Sequence, residues 1–248
     1  MDMHEIKVLL AVHVGNEEFV LKNAGGNKLA DSNDYFVVTD DGICHLFDAS
    51  GTEKDISTIT TLFEDIVSKD TKKIVIPNSV TSIGERAFSG CEGLMSVVIP
   101  DSVMNIGEYA FLGCSDLTSL SIPDGVTSIM RYAFAWCCSL TNVMIGNGVM
   151  TIGDSAFSEC RSLMSVAIPD GVTIIGDYAF FNCSRLTSVT IPDSVTDIGR
   201  LAFRKCDGLK SLVFKGKTLE EVKDMDNYPF GIQVESVIKC IDEMHTAA

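Results

Sequence analysis

A phenylalanine recurs every 23 residues without slippage, at Phe88, Phe111, Phe134, Phe157, Phe180 and Phe203. A cysteine follows each by three residues (Cys91, Cys114, Cys137, Cys160, Cys183, Cys206), and a leucine follows each cysteine by three more (Leu94, Leu117, Leu140, Leu163, Leu186, Leu209). No insertion or deletion interrupts the six copies. Self-similarity at this period is the mark of a solenoid, in which each repeat contacts only its neighbours. One copy cannot bury enough apolar surface to offset the entropy of ordering its backbone. Only the stacked row folds.

The copy around residues 186–206 shows how one coil is written. Ser188-Val189-Thr190-Ile191 alternates as a half-buried strand does, with Val189 and Ile191 inward and Ser188 and Thr190 outward. Pro192 ends the strand because it cannot donate to a ladder, and Asp193-Ser194 makes a turn. Val195 and Ile198 form a second short apolar stretch. Gly199 suits a position with positive φ. Ala202 and Phe203 are expected to lead through a short turn or a single helical turn to Cys206.

The full pattern reads Ile-Pro-Asp-(Ser/Gly)-Val-Thr-x-Ile-Gly-x-x-Ala-Phe-x-x-Cys-x-x-Leu-x-Ser-(Val/Leu), and it runs through residues 74–214. It resembles the bacterial leucine-rich repeats of the BspA-like class, also called the Treponema pallidum type. The resemblance implies a leucine-rich-repeat solenoid with a parallel sheet on its concave face. That class includes surface adhesins and uncharacterised gut-bacterial and phage-associated proteins, and it carries no shared catalytic residues.

Four segments are expected. Residues 1–56 form a β-rich module, with hairpins over Gly15-Asn16 and over Asp40-Asp41-Gly42. Residues 57–73 form a helical cap, in which Leu62, Phe63, Ile66 and Val67 make an apolar stripe. Residues 74–214 form the array, a half-repeat plus six repeats. Residues 215–248 close it: Thr218-Leu-Glu-Glu221 is a capping box that should start a helix, Asn227–Gly231 is a turn, and Ser236–Ile241 is a last strand.

Composition removes several functions. The net charge of −15 is spread along the chain, with excesses of −7, −5 and −3 over residues 1–76, 77–214 and 215–248. A basic nucleic-acid footprint is absent, and no run is long enough for a membrane span. The start, Met-Asp-Met-His-Glu, is acidic where a signal peptide is basic, so a cytoplasmic location is expected, or the cell surface if a leader has been removed. Nine cysteines, an odd number, fit reduced thiols better than a disulfide framework. The ladder cysteines read as core packing and not as a metal column, since no histidine lies between Cys91 and Cys206. A second column (Asp101, Asp124, Asp170, Asp193, with Asn78 and Asn147) reads as side-chain-to-backbone bonding within turns. His4, His13, His45 and His245 lie outside the array, and no nucleophile, P-loop or zinc motif occurs. No catalytic residue, metal or cofactor is assigned.

The outward strand positions remain: Ser96 and Val98, Ser119 and Ser121, Asn142 and Met144, Ser165 and Ala167, Ser188 and Thr190, Ser211 and Val213. One coil departs from the pattern repeatedly. Met130 replaces the ladder glycine, Arg131 follows it, Trp136 is the single tryptophan, Cys138 replaces a polar residue, and Gly146 replaces the proline. Tryptophan and arginine are typical interface anchors. The partner-binding candidates are therefore Ser119, Ser121, Arg131, Trp136, Asn142, Met144, Ser165 and Ala167. The first reading is a non-enzymatic scaffold that binds a protein, or a glycan, through the concave sheet. A second is a cytosolic, phage-encoded inhibitor or decoy acting through an acidic surface. A third is a surface adhesin, and a fourth is a small enzyme within residues 1–60. The oligomeric state is not legible.

Overall fold

The computed structural model of the chain describes residues 35–38, 44–47, 58–59, 73–76 and 80–241. Strands β1 (Tyr35–Val38) and β2 (Cys44–Phe47) pair antiparallel, with Val37 opposite His45. The hairpin expected near residues 5–22, the helix near 60–67, Asn78, His4, His13 and His245 lie outside the described residues.

From residue 73 the chain winds as a β-solenoid with a 23-residue step. Its main sheet has eight parallel strands: β4 (Lys73–Val75), β6 (Ser96–Val98), β8 (Ser119–Ile122), β10 (Asn142–Ile145), β12 (Ser165–Ala167), β14 (Ser188–Ile191), β16 (Ser211–Lys215) and β17 (Ile238–Ile241). The register repeats the sequence period: Ser119, Asn142, Ser165, Ser188 and Ser211 stand side by side. Alternation decides the faces. Leu120, Val143, Val166 and Val189 are buried, while Ser119, Asn142, Ser165 and Ser188 are exposed.

The second apolar stretch of each coil turns out to be a strand too. β3 (Thr58–Ile59), β5 (Ser82–Ile83), β7 (Asn105–Ile106), β9 (Ser128–Ile129), β11 (Thr151–Ile152), β13 (Ile174–Ile175) and β15 (Asp197–Ile198) form a seven-stranded parallel sheet. Each coil thus has three sides: a main strand, a two-residue strand and a turn segment. The Phe, Cys and Leu columns are buried between them, and Phe111, Phe134, Phe157 and Phe180 have no exposed surface. Their rings stack at 4.9–5.5 Å, within the range of favourable offset contact.

The third side is built of short turns, the first of the two forms expected there. Bonds of i to i+3 type run along it, such as Ala179 N–H to Gly176 O and Cys183 N–H to Phe180 O. Two residues per coil take left-handed φ, at the positions two before and two after each phenylalanine: Tyr132 and Trp136, Ser155 and Glu159, Tyr178 and Asn182. A left-handed residue cannot continue a right-handed helix. The N–H groups freed by these turns donate to the next coil instead, as Phe134 does to Ala156 O and Phe157 to Ala179 O.

The ladder glycine is also corrected. Gly199 does not have a positive φ; a Cβ there would meet Asp177 N at 2.3 Å and Gly176 C at 2.4 Å. It is glycine because the backbone of the neighbouring coil passes too close for a side chain. After the last coil, α1 (Leu219–Asp224) starts at Thr218 with both bonds of a capping box. A 3-10 turn (Glu235–Val237) then leads into β17, which pairs with β16 through Leu212 and Ile238.

Candidate functional site

Of the eight partner-binding candidates, six come together on the outward face of the main sheet. Asn142 lies between Ser119 and Ser165, Met144 lies beside Ser121, and Ala167 is on the next strand. All six are exposed. Along this face from β6 to β14 every outward side chain is uncharged; charges appear at Lys73, Lys215 and Lys239, near its borders. Met144 projects from its centre with 60% of its surface exposed.

Arg131 and Trp136 are elsewhere. Both belong to the turn side of their coil, separated from Asn142 and Met144 by the buried Phe134 and Leu140. One small ligand cannot touch both groups. Trp136 occupies a left-handed slot held by Gly90, Gly113, Glu159, Asn182 and Lys205 in the other coils. The Arg161 guanidinium lies over its ring, 5.6 Å from the centroid. Arg161 in turn pairs with Glu159, at 2.8 and 2.9 Å to Oε2, and Asn182 Nδ2 donates to the same oxygen at 2.8 Å. Glu159 is itself buried. Arg131 rests over Tyr132 at 4.9 Å, and Tyr132 stacks on Tyr109 at 5.1 Å.

Sequence reasoning overlooked Glu159, Arg161 and Asn182. The available signal was the column two places after each phenylalanine, which reads Gly, Gly, Trp, Glu, Asn, Lys and keeps no fixed residue type.

The two columns read as structural behave as follows. Each ladder thiol from Cys114 to Cys206 donates to the phenylalanine carbonyl one coil back, at 3.1–3.4 Å. Burial raises these thiols: Cys114, Cys137, Cys160 and Cys183 lie well above the ordinary value, and Cys206 is pushed up to about 12. They are protonated and inert as nucleophiles at neutral pH. One member of the aspartate column, Asp124, needs a correction. The turn is closed by backbone, for example Val126 N–H to Pro123 O, so Asp124 is free to reach the next coil, where its Oδ1 accepts from Asn147 N at 2.7 Å. In a different column, after the ladder glycines, Asp154 and Asp177 accept likewise from Asp177 N and Arg200 N. These carboxylates hold coils together. Among the described residues no three His, Cys, Asp or Glu side chains gather as a metal site, and no helix is long and apolar enough to cross a membrane.

The BspA type leucine rich repeat region matches the chain in six copies, over residues 61–183 and 127–231. Among solved structures, a leucine-rich repeat protein of T. pallidum is 28% identical, with a TM-score of 0.59, covering 77% of this chain and 87% of its own. One from Bacteroides ovatus is 22% identical, with a TM-score of 0.46, covering 87% and 76%. The pneumococcal vaccine antigen PcpA is 19% identical, with a TM-score of 0.49, covering 86% of this chain and 44% of that one. No curated protein sequence gives a significant match.

Proposed function

Since the chain belongs to the BspA-type leucine-rich-repeat family, we propose that it is a non-enzymatic scaffold that binds a protein partner through the outward face of its main sheet. The observation that carries this reading is the absence of charge from the middle of that face, β6 to β14, in a chain of net charge −15. Interface centres are depleted of charged residues, because each buried charge must be desolvated. A surface serving only solubility has no reason to clear its charges from one face. Methionine adds adaptability: Met144 on the face and Met95 and Met164 at its margin are 44–60% exposed, and an unbranched thioether fits irregular partners.

Affinity capture with the intact chain tests this. Met144→Glu should reduce recovery of the captured protein about tenfold or more, while Trp136→Ala leaves it unchanged. Recovery should also persist when salt is raised, since contact through an uncharged face is little screened. Equal recovery by Met144→Glu removes the sheet face from consideration. Recovery lost in salt would favour an acidic decoy surface instead.

A further inference from the structure

The join between the last coil and the closing segment holds a cavity of about 150 Å³. Its origin is a shortfall of chain. Phe230 O accepts from Phe203 N–H, so Phe230 stands where the next alanine of the array would stand. Ile238 pairs with Leu212 as Leu212 does with Val189, so it stands at the next strand position. Within the array ten residues carry the chain from that alanine to that strand, Ala202 to Leu212; here eight do, Phe230 to Ile238. The shortfall falls in the stretch where a further cysteine and leucine would cover Cys206 and Leu209. Both of these are 8% exposed, while Cys183 and Leu186 one coil earlier are fully buried. They line the cavity together with Ile232, Val234 and Val237 of the closing segment. An apolar cavity of this size admits one ring or a short branched chain.

Around it, backbone groups that bond onward in other coils have nothing to bond. Glu159 N–H donates to Phe181 O and Asn182 N–H to Arg204 O, yet Lys205 N–H, the next in that column, has no acceptor among the described residues. Ser184 O accepts from Gly208 N–H, yet Asp207 O has no donor among them. Phe180 O accepts the Cys206 thiol at 3.1 Å, yet no thiol reaches Phe203 O. In the stacked coils these groups point along the solenoid axis to the next coil, and here that direction leads to the cavity their residues line. One donor and two acceptors thus flank an apolar space. The Lys205 ammonium is turned away, over the Phe181 ring of the preceding coil at 5.2 Å from its centroid.

We propose that this cavity is a socket for a peptide segment of a partner protein, which inserts one side chain of leucine or phenylalanine size and bonds through its own backbone. A peptide group complements the rim. Its carbonyl accepts from Lys205 N–H, and its N–H donates to Asp207 O or Phe203 O. These are the bonds a full-length next coil would have made. A purely apolar ligand would leave all three groups unpaired. A charged one would meet a like charge, since the Lys205 and Asp207 side chains both border the space. The socket is distinct from the sheet-face site: no outward residue of β6 to β14 lines it.

N-acetyl-leucine methylamide carries one such side chain between two peptide groups. Titrated into the isotope-labelled full chain and followed by amide NMR, it should shift the Lys205 amide saturably, with a Kd of about 1 mM. Amides of residues 231–237 should move with it. N-acetyl-glycine methylamide, which lacks the side chain, and isoamyl alcohol, which lacks the peptide groups, should each bind about tenfold or more weakly. Val234 is 61% exposed at the edge of the cavity, so Val234→Trp should keep the thermal midpoint while its indole covers the opening. That variant should weaken the leucine probe about tenfold. The proposal is overturned if the Lys205 amide shows no saturable shift, if either control binds as well as the leucine probe, or if Val234→Trp binds as the wild type does. Protein capture through the main sheet should survive Val234→Trp, so the two readings fail separately.

Discussion

A thiol in a dry site needs an acceptor, and each ladder cysteine finds the phenylalanine carbonyl one coil earlier. That pairing explains why cysteine recurs where serine would cost more desolvation and alanine would leave a gap. It also gives the alkaline behaviour a sign. An unfolded thiol ionises near 9, whereas burial holds the folded ones higher, to about 12 for Cys206. Between those values the unfolded chain binds fewer protons than the folded one. Stability is therefore complete below about pH 9 and falls as pH rises, by about 1.4 kcal/mol per thiol per pH unit. Urea unfolding at pH 7.5 and pH 10 should show the loss, and Cys160→Ala/Cys183→Ala should make it shallower. Native protein should also resist iodoacetamide at Cys114, Cys137, Cys160 and Cys183 until denatured. Rapid labelling of those four would contradict their burial. The cysteine column was legible in sequence as core because it keeps step with phenylalanine and leucine. The acceptor was not, because it lies 26 residues back.

The two-residue strands and the turn segments were harder to read than the main strands. A main strand alternates over four residues, long enough for a period of two to appear. A pair such as Ser128–Ile129 has no period, and its identity as a strand comes only from the pair stacked beside it. The left-handed positions were equally silent, being occupied by Arg, Tyr, Ser, Leu, Trp, Glu, Asn and Lys as well as glycine. The ladder glycine was visible, but its reason was misassigned because close approach and positive φ leave the same mark on a sequence. The irregular coil shows the difference. With Met130 in the slot, its N–H reaches Ile106 O at 3.2 Å, against 2.7 Å for Gly176 to Ile152 O. At Gly176 a Cβ would meet Asp154 N at 2.6 Å and Gly153 C at 2.7 Å. Gly176→Ala should therefore push two backbones apart and cost about 1–3 kcal/mol. A urea midpoint equal to that of the wild type would show that the coil can open there as it does at Met130.

Among the described residues, the buried side chains from Ile74 to Ile238 form one continuous core, and backbone hydrogen bonds join each coil to the next. Stability should then be nearly a sum over neighbours. The closing segment imitates the missing next coil. Phe230 O accepts from Phe203 N–H as Ala202 O does from Phe180 N–H, and the Asn227 side chain donates to Ile198 O in place of a backbone amide. Deleting residues 217–248 should strip hydrogen-exchange protection from residues 199–214 while amides of residues 130–170 keep theirs. Simultaneous loss throughout would show a single cooperative unit instead. The candidate surfaces divide in the same way. The uncharged sheet face could be listed from sequence, since outward positions follow from alternation within one coil. Arg131 and Trp136 stand on the turn side; nearness in sequence says nothing about which of three sides a residue takes.

Sequence alone settled what repeats at 23 residues, namely the solenoid, its core columns and its outward strand positions, together with the one capped helix at Thr218. Each depends on local period and on burial of whatever recurs. The second sheet and the carboxylate and thiol bonds between coils were decided by tertiary structure. They are relations between residues 23 or more apart, and only the stacking of coils makes those residues neighbours.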